Sequence, residues 1–154
     1  MWTRGAVQAS RTYRHTDKTY LLDTSAWLEY TGGTGSETHL FVKELRDTRQ
    51  DVATTDPVMC DPLSGARSEN AFFRLDAMLQ AQSPLTVEPT FDFREAATIY
   101  RTARSKGKAI REHTDCLIAA VALRTDAVLL HSHRDFDHLA EVFPRLRVQR
   151  HSQE

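Results

Sequence analysis

Apolar residues first gather along this chain at Tyr20-Leu21-Leu22, after an opening stretch, residues 1–17, in which Trp2, Arg4, Arg11 and Arg14 are scattered with no period of either kind. That stretch reads as a flexible leader outside the fold. The run from Thr19 to Leu22 is β-prone and stops at Asp23, after which Thr24 and Ser25 are residues able to cap a helix holding Ala26, Trp27, Leu28 and Tyr30. The local pattern is strand, carboxylate, helix. Gly32, Gly33 and Gly35 break this helix, and Leu40, Phe41 and Leu45 mark a second, shorter one.

Asp51-Val-Ala-Thr predicts a short strand, and Pro57 fits the first turn of a helix over about 56–66, with Asp61 inside it. Ala71, Phe72, Leu75, Met78 and Leu79 recur at helical intervals over about 68–81, and Pro84-Leu-Thr-Val reads as a turn and brief strand. Phe93, Ala96, Ala97, Tyr100 and Ala103 give an amphipathic helix closed near Gly107. A helix over about 114–124 buries Cys116, Ile118, Ala119 and Ala122; Ala127-Val-Leu-Leu is a strand, and Phe136 anchors a short helix. A last strand at about 146–148 precedes a polar tail, residues 150–154. Strands alternate with helices, which predicts an α/β domain over residues 18–149 whose central, mainly parallel sheet is covered by helices on both faces. Ligands of such sheets bind beyond the carboxyl ends of the strands, so polar residues at those ends are the first places to look for chemistry.

Composition changes this picture little. At 154 residues, 40% hydrophobic and 27% charged, the chain supports one domain with a real core. No apolar run approaches the roughly 20 residues of a membrane span, and no signal-peptide stretch opens the chain, so a cytoplasmic protein with no membrane partner is expected. Cys60 and Cys116 stand singly in apolar contexts and read as small core residues. A formal net charge of −1 does not announce a nucleic-acid binder; only a local basic cluster could hold a polyanion.

Four acidic positions carry the candidate chemistry. Asp23 directly follows an apolar strand, where it also fits a helix cap or turn. Asp115 opens an otherwise apolar helix, where the helix dipole alone would favour it. Asp61, among Val58, Met59, Cys60 and Leu63, is expected on a largely buried helix, where an unpaired charge is costly. His131-Ser-His-Arg-Asp-Phe-Asp-His follows the fourth strand and supplies Asp135 and His133. Together these carboxylates describe a pocket that would repel itself without a divalent cation. Hard Mg²⁺, or Mn²⁺, takes oxygen ligands and can turn a bound water into a nucleophile toward a phosphodiester.

Leu-Leu-Asp23-Thr-Ser-Ala-Trp-Leu, Thr55-Asp-Pro-Val-Met-Cys-Asp61-Pro-Leu-Ser-Gly-Ala-Arg, Thr114-Asp115-Cys-Leu-Ile-Ala-Ala-Val-Ala-Leu and Leu129-Leu-His-Ser-His133-Arg-Asp135-Phe-Asp occur in an order and spacing that resembles the PIN domains of VapC toxins. The likeness covers about 20–148. It implies a PIN-like three-layer α/β/α fold and an Mg²⁺- or Mn²⁺-dependent endoribonuclease, the toxin of a toxin–antitoxin pair, dimeric and neutralised by a VapB-like antitoxin. It also implies that Asp23, Asp61, Asp115 and Asp135 form the catalytic, metal-holding set. Two positions depart from the family pattern: Asp61 stands where Glu is usual, and His133 where Asp is usual, three residues before the Phe.

Imidazole suits Mn²⁺ better than Mg²⁺, so His133 is a candidate ligand; His131 and His138 are expected as solvated loop residues. A structural zinc site lacks its paired ligands elsewhere in the chain. Arg94, Arg101 and Arg104 fall near one another on one helix and Arg111 follows, either as a solvated face or as a clamp for RNA phosphates. A phosphohydrolase of the haloacid dehalogenase type is disfavoured because Ser25 occupies the place of its second Asp. The stronger rival is a catalytically degenerate PIN-like module that binds RNA or a protein partner, since the second and fourth acids are altered.

Overall fold

The computed structural model describes residues 18–151; the expected leader, 1–17, and the end of the tail, 152–154, lie outside the described residues. Five strands, β1 Thr19–Leu22, β2 Asp51–Thr54, β3 Ser83–Pro84, β4 Val128–His131 and β5 Val148–Arg150, form one sheet in the order β3-β2-β1-β4-β5. Every neighbouring pair is parallel, so the sheet is wholly rather than mainly so. The described α-helices are α1 Thr24–Thr31, α2 Glu37–Asp47, α3 Cys60–Ser64, α4 Glu69–Gln80, α5 Phe91–Ser105, α6 His113–Thr125 and α7 Arg134–Val142.

Right-handed crossovers decide the layers. The chain steps outward from β1 through β2 to β3, which puts α1 to α4 on one face. It then returns by way of α5 and α6 to β4 and continues through α7 to β5, in the opposite direction, which puts these three on the other. The contacts agree: α1 packs on α2 and α3, and α3 on α4, while α5, α6 and α7 pack on one another. Because both faces are covered, the central strands are apolar without alternation, and Leu21, Leu22, Leu129 and Leu130 are all fully buried. At the amino ends Asp51 accepts hydrogen bonds from the Thr19 hydroxyl at 2.6 Å and the Ser83 hydroxyl at 2.5 Å, tying three strands together. Gly107, at a φ of 79°, lets the chain turn sharply past the end of α5. Among the described residues no helix is long and apolar enough to cross a membrane.

Some expectations are corrected. The single helix over 56–66 is instead a 3-10 turn, Asp56–Val58, followed by the short α3. Pro62 is the reason: its ring and missing N–H are incompatible with a helix running through from residue 56, but fit the first turn of a new one. The segment is consequently less buried than expected. Asp61 is exposed, and Cys60, expected in the core, is exposed as well, whereas Cys116 is buried. Strand β5 lies two residues beyond its expected place and takes in Arg150, because Leu146 is buried in the turn before it. His131, expected in solvent, is the last residue of β4 and fully buried.

Phe136 is fully buried and joins α7 to the core beneath the loop after β4. Phe136→Ala is expected to cost about 3–5 kcal/mol of folding stability, measured by urea denaturation; a loss below 1 kcal/mol would show that α7 is held by other contacts.

Candidate metal centre

The strand order reverses between β1 and β4, so the carboxyl ends of these two strands flank the crevice where parallel sheets place ligands. Asp23 leaves β1 there, and its backbone N–H donates to the Leu130 carbonyl at 3.1 Å, continuing the ladder by one more bond. Its carboxylate is the N-cap of α1, one of the roles expected for it from sequence, although Thr24 and Ser25 were expected as caps too, and it accepts the Ala26 N–H at 2.8 Å. The Ser25 hydroxyl donates to the same carboxylate, at 2.7 Å and 2.8 Å from its two oxygens, and accepts the Ser132 N–H at 3.0 Å. Ser25 thus latches the ends of β1 and β4 together.

Three further groups meet beside it. Asp115, His133 and Asp135 each offer one ligand atom, and these atoms all lie within 4.8 Å of one another. Asp115 is in the first turn of α6, His133 is the N-cap of α7, and Asp135 is in the first turn of α7, so the partly positive ends of two helices face the carboxylates. His133 Nδ1 lies 3.8 Å from Asp115 Oδ2 and 4.0 Å from Asp135 Oδ2. Asp135 is buried and accepts the Arg111 backbone N–H at 3.2 Å, with the Arg111 Nε 3.6 Å away. The Arg111 guanidinium also meets His133 Nε2 at 2.7 Å.

The charges here are poorly compensated. Burial pushes the Asp23 carboxyl up to about 7, outweighing its hydrogen bonds from Ala26 and Ser25, and the charge of Asp115 adds to the rise. Burial likewise lifts Asp115 to about 6; His133 opposes this, and Asp135 and Glu112 reinforce it. The neighbouring Cys116 thiol is pushed up to about 12, first by burial and then by these carboxylates, and is chemically inert. Two carboxylates and an imidazole, converging while buried charge goes unrelieved next to them, fit a divalent cation.

The profile of the PIN domain family matches residues 20–142. This chain belongs to the PIN-domain family. Over 123 residues it is 40% identical to ribonuclease VapC11 of Mycobacterium tuberculosis, a match covering 79% of this chain and 92% of that protein. Among solved structures, VapBC2 from Rickettsia felis, crystallised with a DNA fragment from its promoter, superposes with a TM-score of 0.67 at 17% identity, over 87% of this chain and 99% of that one. The M. tuberculosis VapC20, a toxin that cleaves the sarcin–ricin loop, superposes with a TM-score of 0.59 at 16% identity, over 84% and 99%. At such identities these superpositions establish the fold alone.

Within this PIN domain the residues singled out from sequence divide into three groups. Asp115, Asp135 and His133 come together, and Asp23 stands near enough for its charge and that of Asp115 to interact. Asp61 does not join them; it lies exposed on α3. Arg94, Arg101 and Arg104 are exposed on α5, and of these four candidate arginines Arg111 reaches the cluster. Sequence reasoning passed over Ser25 and His131. The hydroxyl two residues after Asp23 was the one signal available for the former; the latter carried none, because its burial is a tertiary property.

The raised carboxyls set a pH dependence. Between 3.8 and about 7 the folded, metal-free PIN domain binds more protons at Asp23 and Asp115 than the unfolded chain does, so these two groups lower stability as pH rises through that window. Asp23→Asn keeps the size and the helix cap but not the charge. In chelator-treated protein, thermal melts are expected to show this variant gaining on wild type between pH 5 and pH 8. A wild-type-to-variant difference that is the same at both pH values would contradict an ionised, uncompensated Asp23.

Proposed function

We propose that this PIN domain is a divalent-metal-dependent endoribonuclease, the toxin of a toxin–antitoxin pair, with Asp115, His133 and Asp135 holding the cation and Asp23 adding charge beside it. The observation that carries this reading is the convergence of three ligand atoms within 4.8 Å at the carboxyl ends of the central strands. When bound, the cation supplies positive charge to the scissile phosphodiester and acidifies a coordinated water. Asp135 is held in place by the Arg111 backbone, and Asp23 by Ser25 and Ala26, so the carboxylates are oriented before any substrate arrives. Arg111, whose guanidinium meets both Asp135 and His133, would then meet a phosphate oxygen. Arg94, Arg101 and Arg104 then offer further exposed charges along α5 for the RNA backbone. An imidazole in place of one carboxylate suits Mn²⁺ better than the harder Mg²⁺.

The antitoxin and a second copy of the chain are the protein partners this reading requires. A hollow of about 980 Å³ between α1–α2 and α3–α4 is lined by Leu28, Leu40, Leu75 and Met78 together with Arg67 and Arg74. Its apolar floor and basic rim suit an amphipathic, acidic antitoxin segment.

One observation favours the rival reading of a degenerate RNA-binding module: Asp61 stays outside the cluster. Cleavage of one RNA, followed against Mg²⁺ and Mn²⁺ concentration, separates the two. Wild type is expected to cut, at lower Mn²⁺ than Mg²⁺, and Asp115→Asn to fall to background. His133→Asp is expected to shift activation toward Mg²⁺. Binding of metal and RNA by wild type without any cleavage would establish the degenerate module instead.

A charge reversal tests the clamp separately. Arg101→Glu combined with Arg104→Glu should raise KM for RNA and flatten its salt dependence while leaving kcat near wild type; an unchanged KM would return these arginines to a solvated face.

A further inference from the structure

His131 is a buried polar residue to which the proposed metal-centre chemistry assigns no part. Its imidazole is fully enclosed, packed 5.2 Å from the Phe136 ring, and one bond connects it to the cluster: Nδ1 accepts the backbone N–H of His133 at 3.1 Å. A ring nitrogen that accepts carries no proton, so the neutral ring must be protonated on Nε2. Nε2 is buried without a hydrogen bond, and the group facing it is the Asp137 carboxylate, whose Oδ1 lies 3.4 Å away. The other Asp137 oxygen accepts from Arg150 Nη1 at 2.7 Å, on the edge strand β5.

These contacts form a continuous line. It begins at Arg150 on β5, passes through Asp137 on α7 and the ring of His131 at the end of β4, and ends on the peptide N–H of His133. His133 is also the N-cap of α7, with its own Nδ1 accepting the Asp135 N–H at 3.3 Å. The backbone of His133 therefore sets where its imidazole and, two residues on, the Asp135 carboxylate stand relative to Asp115. Groups behind the direct ligands commonly decide ligand orientation in this way, and their loss commonly weakens metal binding by 10–100-fold.

We propose that Arg150, Asp137 and His131 act as a positioning relay that fixes the His133 backbone, so that the cluster's affinity for a divalent cation depends on residues that never touch it. The proposal rests on the reading of Asp115, His133 and Asp135 as the metal centre. His131 is a positioning residue here, and its contribution is geometric: an acceptor at Nδ1, in a ring held by packing against Phe136 with its Nε2 edge facing the Asp137 carboxylate.

The test uses Mn²⁺ binding to the full chain, measured by calorimetry and by the paramagnetic resonance of free Mn²⁺, without RNA. His131→Leu fills similar space with no acceptor and is expected to raise the Kd for Mn²⁺ by about 10-fold or more. His131→Asn, whose amide oxygen can take the place of Nδ1 and accept from the His133 N–H although its amide nitrogen does not reach the place of Nε2, is expected to recover part of that loss. Arg150→Ala, at the exposed end of the line, should give a smaller weakening. RNA cleavage by His131→Leu should return toward the wild-type kcat at saturating Mn²⁺, which a merely misfolded site would not do. Imidazole nitrogen chemical shifts of wild type should report His131 protonated on Nε2. Wild-type Mn²⁺ affinity in both His131→Leu and Arg150→Ala, an Asn variant as weak as Leu, or a proton found on Nδ1 would each overturn the relay. Should His131→Leu fail to fold, Arg150→Ala and the nitrogen shifts decide the matter alone. Asp115→Asn is the control for the underlying reading. If it loses Mn²⁺ while the relay variants do not, the relay alone is wrong; if it binds Mn²⁺ like wild type, the metal centre falls and the relay with it.

Discussion

Parallel pairing of β1 with β4 is the constraint from which the site follows. It sets Leu22 beside Leu130, so that Asp23 and the loop from Ser132 to Asp135 leave the sheet side by side. The Ser25 hydroxyl donates to the Asp23 carboxylate and accepts the N–H of Ser132, a residue 107 positions further along the chain. Without that pairing, Asp23 is an ordinary helix cap and His133 an ordinary loop histidine. The pairing is itself a product of burial: Leu21, Leu22, Leu129 and Leu130 lose all contact with water, and only a sheet covered on both faces accommodates two such strands at its centre.

The same constraint makes the site electrostatically expensive. Helices α1, α6 and α7 begin at this end of the sheet, and their N-terminal ends offset part of the negative charge. Asp23 and Asp115 nevertheless remain hard to ionise, because burial removes the water that would stabilise them and each feels the other acids nearby. A fold selected for stability alone would pair these groups as it pairs Asp92, which is fully buried and receives Arg124 Nε at 3.0 Å and Nη2 at 2.8 Å. The contrast between the satisfied Asp92 at the start of α5 and the uncompensated Asp115 at the start of α6 separates architecture from function within a single layer.

The loop after β4 is organised from behind as well as from the front. Arg111 approaches Asp135 and His133 from the solvent side, and the buried ring of His131 holds the His133 peptide from the core side. The loop's geometry therefore depends on α7, β5 and the segment between α5 and α6 together. Its two departures from the family pattern have different weights. His133 still reaches the cluster, because its backbone position is set by neighbours rather than by its own side chain. Asp61 does not, because Pro62 confines α3 to a short helix that leaves the carboxylate in solvent.

Most of the α/β alternation was legible in the sequence, since local rules generate it. Short β-prone runs mark β1, β2 and β4, Ser68 and Gly107 bound helices, and the acids Asp23, Asp115 and Asp135 stand where strands end or helices begin. Four motif blocks in order were enough to indicate the family, because spacing along the chain is itself a one-dimensional record of the fold. Pro62 was legible too, and overlooked; its consequence for Asp61 is a local one. The gathering of Asp115, His133 and Asp135, the rise of two carboxyls toward neutrality, and the conversion of His131 from a solvated loop residue into a buried support belong to the tertiary structure alone. The reason is physical: desolvation and charge–charge interaction depend on distances between residues far apart in sequence, and those distances exist only once β4 has docked against β1.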